Sequence, residues 1–204
     1  VFVANPGNPT GTRVSRDDLL RLRTGLRRDI LLVIDEAYVD YTGRQQLDLF
    51  RDYENVAVLR TLSKVGFASL RLGWMIARPE LISELNKARL PYNANALSQR
   101  LGVVVLNELR SEIEHTRRYV VAERRRVGDE LGRIEGVTVS PSEANFLWLR
   151  TERPAGEVFA GLCERGVLVR SFHESGGRLA NRLRVTIGSR AENDRFLEAL
   201  HEVV

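Results

Sequence analysis

Apolar positions in the first third of the chain fall in short unbroken runs: Val1 to Ala4, Ile30 to Ile34, Val56 to Leu59 and Leu72 to Ala77. Runs of this length without polar alternation suit strands covered on both faces, as in a parallel sheet. Between the first two runs, Ser15 with Asp18 three residues on reads as a helix N-cap, and Leu19, Leu20, Leu22 and Leu26 recur at helical spacing. Strand, helix, strand alternation predicts an α/β fold whose loops gather at the C-terminal ends of the strands. Asp35-Glu36 and Arg60 to Lys64 stand at two such ends.

From Pro79 the pattern turns helical, with Pro79 at a helix start and a break over Pro91 to Asn95. A long helical stretch is expected from about Leu97 to Ile134, with an interruption near Ser111. The last third mixes expected strands (Asn145 to Leu149, Val167 to Arg170, Leu183 to Ile187) with expected helices (Ala155 to Arg165, Glu192 to Val203). The expected organisation is a mainly parallel α/β domain over residues 1–112 and a small α+β domain over residues 113–204, joined by the long helix.

Composition narrows the function classes. The 204 residues carry 31 basic and 27 acidic side chains, for a net charge of +4, and lysine occurs only at Lys64 and Lys87, so 29 of the basic residues are arginines. These are interspersed with acids, as in Arg16-Asp17-Asp18, which describes a solvated mixed-charge surface rather than a phosphate-binding stripe. Aromatics make up 7% of the chain, few for stacking on single-stranded nucleic acid. With no apolar run of about 18 residues, a membrane span is not expected. The lone Cys163 fits a reducing compartment, and a cytoplasmic location is expected. His115, His173 and His201 lack metal-ligand spacing with one another or with Cys163, so no metal is expected. An opening strand that enters a Pro/Gly loop at once needs partners from elsewhere, and the chain is expected to be the C-terminal portion of a longer protein.

Three segments concentrate chemistry: Asn5-Pro6-Gly7-Asn8-Pro9-Thr10-Gly11, Asp35-Glu36-Ala37-Tyr38, and Thr61-Leu62-Ser63-Lys64 followed by Arg71. A lysine in a loop after a strand can serve as a nucleophilic amine once it sheds its proton. Thr61 and Ser63 hydroxyls with the Arg71 guanidinium suit a phosphate monoester. Asp35 closes a buried strand, where a carboxylate is costly unless paired. Leu31 to Glu36 also fits the strand-plus-Asp-Glu pattern by which a P-loop ATPase holds Mg²⁺, but no G-x-x-x-x-G-K-[ST] occurs in these residues, and that reading accounts for neither the Asn8 nor the Lys64 segment.

In this order the segments resemble the signature of fold-type-I pyridoxal-phosphate aminotransferases. Ser142 to Phe146, Val167 to Arg170 and Leu183 to Gly188 narrow the resemblance to the histidinol-phosphate aminotransferases. The resemblance implies pyridoxal 5′-phosphate as cofactor, with Lys64, Asp35 and Tyr38 catalytic and Asn8, Thr61, Ser63 and Arg71 also binding the cofactor. It assigns Asn145, Arg170 and Arg184 to the substrate. Arg71 follows Lys64 by seven residues, where many family members have eight. The implied reaction converts histidinol phosphate and 2-oxoglutarate to imidazole-acetol phosphate and glutamate, in histidine biosynthesis, in a homodimer of the full-length protein. Threonine-phosphate decarboxylase, or another aminotransferase of this fold, is the nearest alternative; an ATPase or nucleic-acid module is the alternative from another class. The resemblance covers the whole chain and lacks about the first two-fifths of the family's length, so the chain alone is expected to bind the cofactor weakly and to be inactive. Tyr92, Asn93 and Asn95 match a segment near the family's cofactor and dimer interface, or form a helix-terminating loop.

Overall fold

A computed structural model describes residues 1–43 and 47–204. The chain forms two units: one of residues Val1–Gly7 and Arg13–Arg117, the other of Asn8–Thr12 and Arg118–Val204.

The first unit is built on a four-stranded sheet in the order β1 (Phe2–Ala4), β2 (Leu32–Asp35), β3 (Val56–Thr61), β4 (Gly73–Ile76). β1, β2 and β3 run parallel and β4 is antiparallel to β3. β2 starts at Leu32 rather than Ile30: the Ile30 amide closes a turn on Arg27, and the carbonyl of Ile30 accepts from Arg23 and Asn55 side chains. Leu32, Val33 and Ile34 are buried, as a strand covered on both faces requires. On one face α1 (Arg16–Gly25) inserts Leu19 among Leu32, Ile34, Val56 and Leu49. Leu49 lies on α2 (Leu47–Asp52), a short helix that the hydrophobic pattern did not announce. The Ser15 cap forms as expected, its hydroxyl accepting from the Asp18 amide.

After β4 come α3 (Pro79–Ala88), α4 (Ala96–Glu108) and α5 (Arg110–Leu131). The long helical stretch is broken at Leu109, where ψ is +24°, near the expected interruption, and helix ends at Leu131, before Gly132. A second cluster joins Leu62 and Val65 of the loop after β3 to Val105 of α4 and, at its edge, Ile113 of α5. Gly102 lets α4 come close here, since a Cβ at that position would lie 2.6 Å from Leu72 Cδ1.

In the second unit, β5 (Val137–Ser140), β6 (Phe146–Thr151), β8 (Arg182–Thr186) and β7 (Arg170–Ser171) form a wholly antiparallel sheet in that order. α6 (Ala155–Glu164) and α7 (Arg190–Val203) supply Val158, Leu162, Phe196 and Leu200 to its core. β5 was not anticipated. The expected strand from Val167 to Arg170 is reduced to its last residue plus Ser171. Gly166, at φ +71°, ends α6, and the Val167 amide bonds back to Leu162, which holds this segment off β8.

Candidate active site

Asp35 ends β2, opposite Ala4 and Leu59, and Thr61 ends β3, so both stand where the parallel strands deliver their loops. The half-buried Asp35 carboxylate accepts from the Ala37 amide at 3.0 Å through Oδ1. Next to it Glu36 is fully buried and takes both Nε and Nη2 of Arg60 on Oε2, at 3.0 and 2.7 Å. A buried carboxylate needs such a partner. The alternation of β2 and β3 contains no signal for this pair, since register alone brings strand ends 24 residues apart together.

Tyr38 caps and Tyr41 closes the 3-10 turn Val39–Tyr41, and both are buried, at 7% and 5% exposure. Tyr38 turns its ring to Lys64, whose Nζ stands 5.4 Å from the ring centroid. The Tyr41 hydroxyl donates to the Lys64 main-chain carbonyl at 2.6 Å. Burial, with the Asp40 and Tyr38 charges adding to it, pushes the Tyr41 phenol up to about 12, so it stays a donor across the ordinary pH range. Burial likewise raises Asp40, against the opposing pull of Arg60 and Arg117.

The loop after β3 is tightly wound. The Thr61 hydroxyl donates to Leu72 O at 2.9 Å and accepts from the Ser63 amide at 3.0 Å. Its single proton is thus engaged within the loop, where Thr61 helps shape the turn. Ser63 and Lys64 are half-buried. Arg71 is exposed and sits in the left-handed region, at φ +54°, with Nη1 donating to Ala68 O at 3.2 Å. A non-glycine residue held there carries strain of about 1 kcal/mol or more. Asp35, Tyr38, Thr61, Ser63, Lys64 and Arg71 all belong to the first unit.

Asn8 belongs with the second unit. Gly11, at φ +72°, lies so close to Ser142 that a Cβ would fall 2.3 Å from Oγ, and its carbonyl accepts from the Glu143 amide at 2.8 Å. Asn8 Oδ1 accepts from Arg184 Nη1 at 2.6 Å. Arg184 lies on β8 opposite Arg170 of β7, with its guanidinium 5.1 Å from the Phe146 ring centroid. Its Nε is buried and has no partner, a state that among the described residues is shared only by Arg78 Nε. Arg170 is exposed, with its guanidinium 5.8 Å from the Phe172 ring centroid, and both arginines line a cavity of about 400 Å³ with Val167, Thr186 and Phe196. Asn145 precedes β6, and its carbonyl accepts from the Ile187 amide.

Among the described residues no group of His, Cys, Asp and Glu is arranged to hold a metal ion, and no helix is long and apolar enough to cross a membrane. The family model of aminotransferase class I and II matches residues 1–200. The chain belongs to the class I and II aminotransferases. A histidinol-phosphate aminotransferase of Aquifex aeolicus is 46% identical over 203 residues, all of this chain and 56% of that relative. The chain thus spans little more than half the length of the aminotransferases it matches. The crystal structure of the histidinol-phosphate aminotransferase from Clostridium acetobutylicum has the same fold, with a TM-score of 0.91 over 99% of this chain and 63% of that one, at 22% identity. The L-threonine-O-3-phosphate decarboxylase of Porphyromonas gingivalis superposes with a TM-score of 0.85 at 25% identity, over 98% of this chain and 63% of its own.

Proposed function

We propose that this chain is part of a pyridoxal 5′-phosphate-dependent aminotransferase acting on histidinol phosphate with 2-oxoglutarate. The observation that carries the reading is the placement of the Lys64 amine over the Tyr38 ring, beside the strand end that bears Asp35, in a chain of this family. The donor set fits the cofactor. Lys64 offers an amine, Asp35 a carboxylate for a protonated ring nitrogen, Tyr38 a phenol, and Ser63 and Arg71 donors for a phosphate. Bound there, the cofactor supplies an electron sink for charge developing at the carbon next to the substrate amine.

The chain's own groups then have distinct tasks. Lys64 Nζ holds the cofactor and moves the proton at the substrate Cα. Asp35 keeps the ring nitrogen protonated. Asn8 is assigned to the cofactor as well. Arg170 and Arg184 take the substrate phosphate, and the unpartnered Arg184 Nε supports an anion there. Asn145 is assigned to the substrate amine. A homodimer and a cytoplasmic location belong to the same reading, the first supported by exposed Leu90, Tyr92 and Leu97.

Borohydride reduction of the pyridoxal-phosphate-loaded protein followed by peptide mapping tests the cofactor assignment. The tag is expected on Lys64, and a tag on Lys87 alone would sink it. The likeness to a threonine-phosphate decarboxylase favours a second reading, in which the same residues release carbon dioxide from an amino acid phosphate. Incubation of the full-length enzyme with each amine separates the two: a keto product without carbon dioxide supports transamination.

A further inference from the structure

The 3-10 turn after β2 touches Lys64 at both ends. In this tight helix residues three apart eclipse, and the Tyr41 amide bonds to Tyr38 O at 3.2 Å, so the two rings leave the turn on one side. Tyr38 faces the Lys64 amine, while the Tyr41 hydroxyl holds the Lys64 main-chain oxygen at 2.6 Å. Nothing in a cofactor-binding role calls for the second contact. Tyr41 is buried and aims its hydroxyl at one backbone carbonyl 23 residues away. The rest of the loop is pinned from within: the Ser63 amide by Thr61 Oγ1, and the Val65 and Phe67 amides by Leu62 O. The Lys64 main chain, by contrast, is held from another element, by Tyr41. A buried carbonyl that loses its donor must find another or move toward water.

We propose that Tyr41 is a positioning residue for Lys64: its hydroxyl fixes the main chain from which the amine is suspended against Tyr38, so that one short turn sets both the height and the direction of that side chain. The inference rests on the reading of Lys64 as the amine that carries the cofactor, and it assigns Tyr41 no contact with cofactor or substrate.

With two lysines in the chain, the test has a built-in reference. Lysine labelled with ¹³C at the carbonyl gives two signals, assigned by Lys87→Arg. Tyr41→Phe is expected to shift the Lys64 signal upfield and leave that of Lys87 in place. In parallel, trace acylation followed by peptide mass analysis gives the Lys64 to Lys87 reactivity ratio. Freed from Tyr38, the Lys64 amine is expected to gain about threefold or more in this ratio. A carbonyl signal that does not move, or one that moves while the ratio stays constant, overturns the proposal, the latter because the hydroxyl would then serve stability alone. If Tyr41→Phe does not fold, 3-fluorotyrosine placed at position 41 keeps the ring and strengthens the donor. The Lys64 signal is then expected downfield with a lower ratio, and no change in either overturns the proposal. None of these readouts involves the cofactor, so failure of the Lys64 assignment, seen by borohydride tagging, is distinguishable from failure of the Tyr41 contact.

Discussion

Arg184 Nη1 donates to Asn8 Oδ1 at 2.6 Å, across 176 positions of chain. The bond commits one arm of the guanidinium, while the buried Nε has no hydrogen-bond partner. Arg184→Lys replaces a planar fork with a point charge. If the proposed function holds, this change in the full-length enzyme is expected to raise KM for histidinol phosphate about tenfold or more, with a smaller fall in kcat. Steady-state kinetics checks it, and an unchanged KM would remove Arg184 from the phosphate.

Gly11 lies against Ser142 in the segment that carries Asn8. Any side chain there meets Ser142 and is strained at φ +72°. Gly11→Ala is expected to cost the second unit about 2 kcal/mol or more. The chain has one tryptophan in each unit, Trp74 and Trp148, so urea unfolding followed by Trp148 fluorescence in a Trp74→Phe background reads this unit alone. An unchanged midpoint contradicts the close approach.

Glu36 has no exposed surface, and Arg60 supplies its charge partner. Arg60→Met leaves a carboxylate buried without that cation and is expected to cost on the order of 3 kcal/mol. Trp74 fluorescence in a Trp148→Phe background follows it.

Two carboxylates predict opposite responses to acid. Glu123 on α5 accepts from Arg126 at 2.9 and 2.7 Å and from Asn193 Nδ2 at 3.0 Å, and these bonds hold its carboxyl down at about 2. A carboxyl depressed on folding contributes stability above its unfolded value, lost as pH falls from about 4.5 to about 2. Asp40, raised by burial, works the other way: its contribution is present at low pH and lost as pH rises through its folded value. Glu123→Gln is therefore expected to flatten the acid limb of the second unit's stability, by on the order of 2 kcal/mol. Asp40→Asn is expected to bring its largest relative gain to the first unit at neutral pH. Denaturation of each variant across pH 2 to 7 tests both signs.

Much of the first unit was legible in the chain. Unbroken apolar runs marked β1, β2, β3 and β4, the Ser15 cap marked α1, and Pro79 marked the start of α3. Where the pattern failed, local hydrogen bonding overrode it. Val167 to Val169 is as β-prone as any run here, yet Gly166 and the bond from Val167 to Leu162 keep it out of the sheet. α2 is too short for periodicity to announce it, and β5, Val-Thr-Val-Ser, alternates with polar residues instead of forming an apolar run.

Candidate residues divide the same way. Lys64 stood out because arginine fills nearly every other basic position, and Asp35 because it ends a buried run. Composition and order therefore singled out the side chains proposed to carry the chemistry. Tertiary structure decided what each one touches. Tyr41 holds the Lys64 main chain, Arg60 compensates Glu36, Thr61 spends its proton on Leu72, and Asn8 belongs with Arg184. Each is a contact across more than ten positions, set by strand register and the close approach of loops, and no local pattern of polar and apolar residues encodes such distances.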